Sequence, residues 1–515
     1  MTFEIVFVLL SLLGMMAALI ADKMRPGMVL FSVVVLFLCV GILTPKEMLE
    51  GFSNKGMITV ALLFLVSEGI RQSGTLGQVI KKLLPQGKTT VFKAQLRILP
   101  SVAFISAFLN NTPVVVIFAP IIKHWAKSVK LPATKFLIPL SYVTILGGIC
   151  TLIGTSTNLV VHGMILEAGY EGFTMFELGK VGIFIAIAGI IYLFIFSKRL
   201  LPDARPDTAV PDEEVEEGEK LHRVEAVLGA RFPGINKKLS DFNFQRHYGA
   251  EVKEIKTRNG QRYVDHLEDV VLREGDTLVV MADDTFIPTW GESSVFVLLT
   301  NGNDPDTSGK KKRWLALILL VLMIVGATVG ELPATKEMFP DIKLDMFFFV
   351  CITTIIMAWT NIFPARKYTK YISWDILITI ACAFAISKAM VNSGVADCVA
   401  GFIIGLSDDY GPHVLLAILF VITNLFTELI TNNAAAALAF PLALSISAQL
   451  GVSPTPFFVV ICMAASASFS TPIGYQTNLI VQGIGNYKFT DFVRIGLPLN
   501  IITFLISVIL IPLIW

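Results

Sequence analysis

Two parts of this sequence resemble each other at a separation of 320 positions. Residues 57–61 match residues 377–381, and residues 151–159 match residues 471–479. A chain that contains one unit twice is restricted to folds built from two similar substructures. The sequence therefore predicts two related halves, and the remaining question is where each half lies.

The composition is that of a membrane protein. Of the 515 residues, 54% are hydrophobic and 16% are charged, whereas soluble domains carry about 25% charged residues. Residues 203–313 hold 38 of the 81 charged residues, which predicts one soluble domain inserted between two membrane halves. The net charge of +1 gives no electrostatic argument for binding nucleic acid.

Apolar runs of about 20 residues predict membrane-spanning helices. Such runs lie near residues 3–21, 27–43, 56–73, 134–163, 177–197, 314–331, 345–364, 372–391, 411–428, 456–483 and 492–514. The first run lacks a basic leader and a small-residue cleavage site, so we interpret it as a span and not as a signal peptide. The six cysteines are scattered singly, which favours packing roles over metal or redox chemistry.

Lysine and arginine positions predict the orientation of the spans. The basic residues in segments 23–25, 198–199 and 310–313 fall on one side if the segment 97–130 enters the membrane and turns back. That segment is then a re-entrant hairpin, and the inserted domain is cytoplasmic. We therefore expect a multi-pass protein of the cell (inner or plasma) membrane.

The same argument predicts that the two copies are inverted. Arg71 places the end of one helix of the first copy inside, whereas Arg366 and Lys370 place the start of the equivalent helix inside. Inverted repeats with interrupted helices are typical of alternating-access transporters. The expected fold is an all-α polytopic membrane protein of two inverted repeats with re-entrant hairpins and broken helices, plus an inserted small α/β cytoplasmic domain.

Two polar motifs interrupt apolar stretches in each copy. They are residues 110–113 (Asn-Asn-Thr-Pro) and 154–158 (Gly-Thr-Ser-Thr-Asn), then 431–433 (Thr-Asn-Asn) and 474–478 (Gly-Tyr-Gln-Thr-Asn). Non-helical backbone at membrane depth is tolerated only where it is buried in protein or lines a wet cavity. Helix N-termini there can bind an anion, and free carbonyls can bind a hard cation. Hydrogen bonding between packed helices is the alternative, but it does not require the same pair of motifs twice.

These motifs resemble those of the divalent-anion/sodium symporter family, within the ion transporter superfamily. The resemblance covers both membrane halves and implies hairpin tips and unwound helices that bind an anion and sodium. The implied substrate-binding residues are Asn110, Asn111, Thr112, Thr157, Thr431, Asn432, Asn433 and Thr477. The implied sodium-binding residues are Asn111, Gly154, Thr155, Asn158, Asn432, Gly474, Tyr475 and Asn478. Asn110 and Thr431 replace the serine of the family signature, and Asn433 replaces its threonine.

Part of the insert resembles a TrkA C-terminal domain, in segments 241–252 and 272–280. Such domains are small α/β modules that commonly regulate transport by binding a cytosolic ligand or by dimerising. The expected division of the chain is a first inverted repeat (1–202), an acidic linker (203–220), a TrkA C-terminal-like regulatory domain (221–300), a basic linker (301–313) and a second inverted repeat (314–515).

The resemblances imply a secondary-active symporter that imports a divalent anion with sodium by alternating access. Sulfate is favoured over a dicarboxylate, because membrane proteins that resemble this chain and carry such an insert are often permeases for sulfate or other inorganic anions. The expected partners are the small anion, Na⁺, membrane lipid, a second copy in a homodimer and a cytosolic regulatory ligand at the insert. No organic cofactor and no nucleic acid is expected.

Three alternatives remain. The first is a proton-coupled or uncoupled efflux transporter of the same superfamily. Glu428 could serve proton coupling, and the alternatives for this residue are a helix-end position or a buried pair. Residues 471–475 loosely resemble a potassium selectivity filter, but a filter needs four pore loops and the other copy differs. A membrane enzyme is disfavoured, because the sequence contains no recognisable catalytic motif.

Overall fold

The computed structural model describes most of the chain. The described residues are 3–21, 23–85, 87–203, 222–229, 231–257, 261–283, 286, 290, 295–300, 310–339, 342–405 and 412–515. The predicted acidic linker 203–220 lies outside them apart from Asp203, and so do residues 301–309 of the predicted basic linker.

The first half of the chain is helical. Its helices are α1 (Phe3–Ala21), α2 (Pro26–Val40), α3 (Pro45–Glu50), α4 (Lys55–Gln72), α5 (Thr75–Leu83), α6 (Val91–Ser106), α7 (Asn111–Ser128), α8 (Leu137–Gly148), α9 (Ser156–Glu167) and α10 (Gly179–Leu200). Local sequence sets several ends. Pro26 occupies the first turn of α2, and Gly41 ends that helix with a φ of 83°, a conformation that glycine adopts without strain.

The insert contains an antiparallel sheet with the strand order β3-β2-β4-β1-β5. The strands are β1 (His222–Leu228), β2 (Glu251–Lys256), β3 (Arg262–Tyr263), β4 (Thr277–Ala282) and β5 (Phe296–Thr300), and the short helix α11 (Phe244–Tyr248) precedes β2. In the register of the β1–β4 pair, Val224 lies opposite Val280. Both side chains are buried in a separate apolar core that includes Phe232, Phe244 and Tyr248.

The second half is helical again. Its helices are α12 (Lys310–Gly330), α13 (Pro333–Met338), α14 (Met346–Trp359), α15 (Tyr368–Tyr371), α16 (Trp374–Asn392), α17 (Val395–Gly405), α18 (Pro412–Leu429), α19 (Asn432–Leu450), α20 (Thr455–Ser466), α21 (Gln476–Gly485) and α22 (Phe489–Ile514). Helix α12 begins inside the segment predicted as a basic linker.

Within the described residues, seven helical stretches are long and apolar enough to cross a membrane. They are Phe3–Ala21, Pro45–Gln72, Gly179–Leu200, Lys311–Gly330, Trp374–Asn392, Asn432–Leu450 and Phe489–Ile514. Asn432–Leu450 is not among the predicted spans, and the predicted spans outside this set are shorter apolar helices. Two of the predicted spans are interrupted, because residues 149–155 separate α8 from α9, and residues 467–475 separate α20 from α21.

The helices of the two halves occur in the same order. The series α4–α10 corresponds to α16–α22, and α7 and α19 begin at the matched residues Asn111 and Asn432. Packing pairs also correspond: α6 packs on α8 as α18 packs on α20, and α4 packs on α14 as α16 packs on α2. Close approach explains some glycines, since a side chain at Gly147 on α8 would overlap the main chain of Ala103 on α6.

Helices α6 and α7 form a hairpin. The end of α7 returns to the level where α6 begins, since the Trp125 indole nitrogen donates a hydrogen bond to the Pro85 carbonyl at 2.9 Å. Residues 107–110 form the tip. The tip packs on the first interruption, where the Thr151 hydroxyl donates to the Ala107 carbonyl.

Candidate functional site

Four helix N-termini meet where the polar motifs lie. Helices α7, α9, α19 and α21 begin at or directly after these motifs, and α7 packs on α21 as α19 packs on α9. The four N-cap residues are Asn110, Thr155, Thr431 and Tyr475, and the side chain of none of them accepts a capping hydrogen bond from its own helix. The first-turn N–H groups of these helices therefore lack an acceptor from the N-cap side chain, although the Asn433 N–H of α19 donates to the Asn432 side-chain oxygen at 3.0 Å.

Each hairpin tip forms a hydrogen bond with the interrupted helix of the other half, and the two bonds join matched positions. The Thr112 hydroxyl donates to the Gln476 side-chain oxygen at 3.3 Å. The residues at the matched positions are Asn433 and Ser156, and the Ser156 hydroxyl donates to the Asn433 side-chain oxygen at 3.2 Å. The first hairpin tip thus contacts the second interrupted helix, and the second tip contacts the first.

The matched residues Thr155 and Tyr475 contact each other. Their hydroxyl oxygens are 2.9 Å apart, although 320 positions separate them in the sequence. Residues at matched positions touch where the two halves meet symmetrically, so this pair marks the centre of the site.

An asparagine side chain bridges each interruption. The Asn158 amide nitrogen donates to the Thr151 carbonyl at 2.9 Å and to the Gly148 carbonyl at 3.4 Å. The Asn478 amide nitrogen makes the same pair of bonds to the carbonyls of Thr471 and Ser468. Carbonyl groups that the broken helix leaves without a partner are satisfied in this way.

The two asparagines differ at their side-chain oxygens. The Asn478 oxygen accepts a hydrogen bond of 2.6 Å from the Ser141 hydroxyl. The Asn158 oxygen is buried and has no hydrogen-bond partner among the described residues. An unpaired buried acceptor is costly, so this oxygen is available to a ligand that supplies positive charge.

The predicted site residues lie together in the structure, but some of them are partly exposed and the others are buried. Asn110, Thr112, Thr431 and Asn432 are partly exposed. The other predicted substrate and sodium residues are buried: Asn111, Gly154, Thr155, Thr157, Asn158, Asn433, Gly474, Tyr475, Thr477 and Asn478. The Thr431 hydroxyl oxygen itself is enclosed and lacks a partner among the described residues.

Sequence reasoning did not assign roles to Ser141, Ser156 and Gln476. Ser156 and Gln476 lie inside the repeated motifs, and their matched positions could have indicated that they pair with the hairpin tips. Ser141 lies in α8 without a motif, and its hydroxyl is 2.9 Å from the Thr477 hydroxyl. Nothing in the local sequence indicates that contact.

Glu428 lies near the second tip, one residue before the end of α18, which is the helix-end position that the sequence offered as the alternative to a proton site. Its carboxylate accepts hydrogen bonds from the Ser470 main-chain nitrogen at 2.9 Å and from the Asn500 amide at 2.6 Å. No lysine or arginine of the described residues forms an ion pair with it. The matched residue of the first copy is Ala107, so this carboxylate is not part of the repeated motif.

The insert contacts the helices that lead from the site. The Lys123 ammonium group near the end of α7 is 3.0 Å from both carboxylate oxygens of Glu225 on β1. On α21, a methyl group at Gly483 would lie 2.6 Å from the Thr277 hydroxyl oxygen at the start of β4. Both contacts join the sheet to helices whose N-termini form the site.

The insert also contacts other parts of the helical region. The Arg231 guanidinium donates to the Ile372 carbonyl at 3.2 Å, just before α16. The Asn236 amide donates to the Lys23 carbonyl at 3.3 Å, between α1 and α2. Both acceptors lie in or beside basic segments that the sequence places on one side of the membrane.

A family model matches most of the chain. The model describes the citrate transporter family CitMHS, and it matches residues 16–448 and 335–515. The chain belongs to this family. CitMHS lies within the ion transporter superfamily to which the motifs point. With the seven apolar helical stretches, this membership makes the chain a multi-pass membrane protein of a transporter class.

Several relatives are transporters. An uncharacterized transporter of Synechocystis sp. is 29% identical over 94% of this chain and 92% of its own length. A putative sulfur deprivation response regulator of Chlamydomonas reinhardtii is 28% identical over 93% of this chain and 96% of its own length. A probable sodium/sulfate cotransporter of the same alga is 32% identical over 54% of this chain and 31% of its own length.

Proposed function

We propose that this CitMHS protein is a secondary-active importer of a divalent anion, coupled to Na⁺, with sulfate favoured over dicarboxylates. The observation that carries the proposal is the meeting of four helix N-termini without side-chain caps. Each N-terminus is equivalent to about half a positive charge, so the four supply about two. That charge matches a divalent anion, and the motif segments contain no fixed charge that would compete with it.

The anion would lie between the two hairpin tips. The partly exposed residues Asn110, Thr112, Thr431 and Asn432 would contact it, and the buried residues Asn111, Thr157, Asn433 and Thr477 would hold the tips and interruptions in place. This division is supported by the exposure of the first set and by the hydrogen bond of the Thr157 hydroxyl to Asn433 at 3.2 Å.

Alternating access would follow from two inverted repeats. The exchange of contacts between Thr112–Gln476 and Asn433–Ser156 supports a twofold relation between the halves. The helices α6–α10 and α18–α22 would form the moving transport domain, and α1, α2, α4, α12, α14 and α16 the scaffold. The scaffold would also form a homodimer, as the resemblance implies.

Sodium would bind beside the interrupted helices. The unpaired, buried oxygen of Asn158 supports a cation site in the first copy, since a hard cation takes amide and carbonyl oxygens as ligands. Gly154, Thr155 and Asn111 would complete that site. In the second copy, Gly474, Tyr475, Asn432 and Asn478 would hold a second Na⁺ only after the Ser141 hydroxyl leaves the Asn478 oxygen.

The insert would be a cytoplasmic, TrkA C-terminal-like regulatory domain. Its contacts with Lys123 and with Gly483 connect it to the proposed transport domain, whereas its contacts with Ile372 and Lys23 connect it to the proposed scaffold. A cavity of about 340 Å³, bordered by Thr257, Tyr263, His266 and Arg273 among others, would receive the cytosolic ligand. A ligand that changes this domain would then change the relative motion of the two groups of helices.

Proton coupling is the second candidate function. It is favoured by Glu428, whose carboxylate lies near the second tip without an ion-pair partner among the described residues. A carboxylate in the membrane region is costly unless it is neutralised, and a proton would neutralise it.

Uptake into proteoliposomes tests these proposals. Labelled sulfate and succinate are supplied with an inward Na⁺ gradient, with an inward proton gradient, or with neither. We expect sulfate uptake that requires the Na⁺ gradient. Uptake that requires only the proton gradient would refute sodium coupling and favour Glu428 as the coupling site. Uptake of neither anion would refute the proposed function.

Two matched variants locate the cation. Asn158→Ala removes the unpaired oxygen, and Asn478→Ala removes its counterpart, which is already hydrogen-bonded to Ser141. Both changes remove the bridge across an interruption, so both are expected to lower the uptake rate. Asn158→Ala should also raise the Na⁺ concentration needed for half-maximal uptake by about tenfold or more, and by more than Asn478→Ala does, because the Asn478 oxygen is already bonded to the Ser141 hydroxyl. Equal Na⁺ dependence in the two variants would contradict the site.

A further inference from the structure

The Tyr475 side chain lies between the two hairpin tips. Its hydroxyl oxygen is 2.7 Å from the Asn111 side chain and 2.9 Å from the Thr155 hydroxyl, and it also interacts with the Asn432 side chain. Asn111 and Asn432 occupy matched positions at the starts of α7 and α19. The phenol therefore extends from the start of α21 to the N-termini of the other three helices.

The position of this side chain is fixed by its partners. With the Asn111 amide oxygen towards Tyr475, that oxygen accepts from the phenol, and the amide nitrogen donates to the Thr144 carbonyl and the Ser106 hydroxyl, both at 2.8 Å. Tyr475 is 7% exposed and Asn111 is 1% exposed. Displacing the ring would leave these buried polar groups unpaired, which is costly. The ring thus behaves as a fixed wall of the site.

Only the second copy contributes an aromatic ring at this position. The residue matched to Tyr475 in the first copy is Thr155, whose side chain ends two bonds from Cα and carries no ring. The two halves therefore contribute unequal side chains to the shared contact, a phenyl ring from one half and a threonine from the other.

We propose that Tyr475 restricts the substrate to a single tetrahedral oxyanion of the size of sulfate. This inference rests on the proposed function, because it assumes that the anion lies between the tips. A tetrahedral oxyanion presents oxygens to several N-termini from one compact group. A dicarboxylate carries its two charges at the ends of a carbon chain, and that chain would have to cross the space that the ring fills. Tyr475 is thus a selectivity-determining residue.

Replacement of Tyr475 by the residue of the other copy tests the inference. Uptake of labelled sulfate and labelled succinate is measured in proteoliposomes for the wild type, Tyr475→Thr and Tyr475→Phe. Tyr475→Phe keeps the ring and loses the hydroxyl, so the ratio of sulfate to succinate uptake should stay within about threefold of the wild-type ratio. Tyr475→Thr removes the ring, so that ratio should fall by tenfold or more.

A matched control uses another buried tyrosine. Tyr192 on α10 is 6% exposed and donates to the Ile495 carbonyl, away from the motifs. Tyr192→Thr should slow the uptake of both anions equally, since it removes similar packing without changing the site. The ratio of the two uptake rates, and not their absolute values, therefore separates a selectivity role from a structural role.

Each result has a distinct meaning. A wild type that transports sulfate, with an unchanged ratio in Tyr475→Thr, refutes the role of Tyr475 alone. A wild type that transports succinate as fast as sulfate also refutes it. A wild type that transports neither anion refutes the proposed function together with this inference. If Tyr475→Thr does not fold, Tyr475→Phe alone tests the role of the ring. A tenfold fall in the ratio of sulfate to succinate uptake in that variant, which keeps the ring, would refute the role.

Discussion

Replacing Lys123 by methionine should loosen the contact between the insert and the helices. Lys123 is 24% exposed and Glu225 is 16% exposed, and the ammonium group lies 3.0 Å from both carboxylate oxygens. Lys256 is a second partner of the same carboxylate, at 3.5 Å. Methionine keeps the aliphatic length of lysine and removes the charge, so the change isolates the electrostatic part of the contact.

The size of the effect follows from the acidity of Glu225. Burial raises the pKa of this carboxyl group, but Lys123 and Lys256 outweigh it and hold the pKa at about 2, against an ordinary value of 4.5. At about 1.4 kcal/mol for each tenfold change in proton affinity, the net stabilisation of the charged form is about 3 kcal/mol. Lys123 makes the two shorter contacts, and removing one partner of a hydrogen-bonded, mostly buried charge pair costs about 2 kcal/mol or more. Its loss should raise the undocked population about 30-fold.

Chemical labelling can measure that population. Val227 on β1 is completely buried and joins the apolar core of the helical part, so a cysteine at this position should react with a maleimide only after undocking. The labelling rate of the Val227→Cys peptide, followed by mass spectrometry, should rise about 30-fold with Lys123→Met. Lys127→Met is the control, because Lys127 is exposed and lies one turn later on α7. Equal labelling rates in the two variants would refute the docking role of the ion pair.

Two further predictions concern stability. Because the pKa of Glu225 is depressed, the stabilising contribution of its carboxylate is complete above about pH 4.5 and is lost as the pH falls towards about 2. Calorimetry should therefore show that the unfolding temperature falls more between pH 6 and pH 3 in the wild type than in Glu225→Gln. Equal falls in the two proteins would contradict the linkage between Glu225 and stability. Gly147→Ala should destabilise the protein by about 1–3 kcal/mol, because the new methyl group would overlap the main chain of Ala103. Thermal unfolding in detergent measures this loss. The control is Gly14→Ala, which should change the unfolding temperature little because Gly14 has open space around it.

The repeat made the local structure of the site predictable. The spacing of 320 residues relates the motifs that precede α9 and α21, and both helices begin directly after residues 155 and 475. Glycine and asparagine in the motifs also predicted interrupted helices, which the structure describes between α8 and α9. These features depend on residues close together in the sequence, where backbone preferences and unpaired carbonyls decide the outcome.

The contacts across the halves could not be predicted in the same way. Thr112 and Gln476 are 364 positions apart, and their pairing depends on how two complete helical units pack. One side-chain partner of Glu428 is Asn500, on a helix without a polar motif. The direction of the Tyr475 side chain was also not predictable, because the family resemblance placed this residue on an unwound segment without saying that its hydroxyl contacts Asn111 and Thr155.

The contact between Thr155 and Tyr475 bears on the origin of the chain. If the two halves descend from separate, identical subunits, a residue on their shared axis faced its own copy, and every substitution there appeared twice. The present contact instead pairs one phenol ring with one threonine. Joining the subunits into one gene allowed one position to change alone. An unequal pair at the centre requires two copies that can change independently, and fusion into one chain supplies that independence.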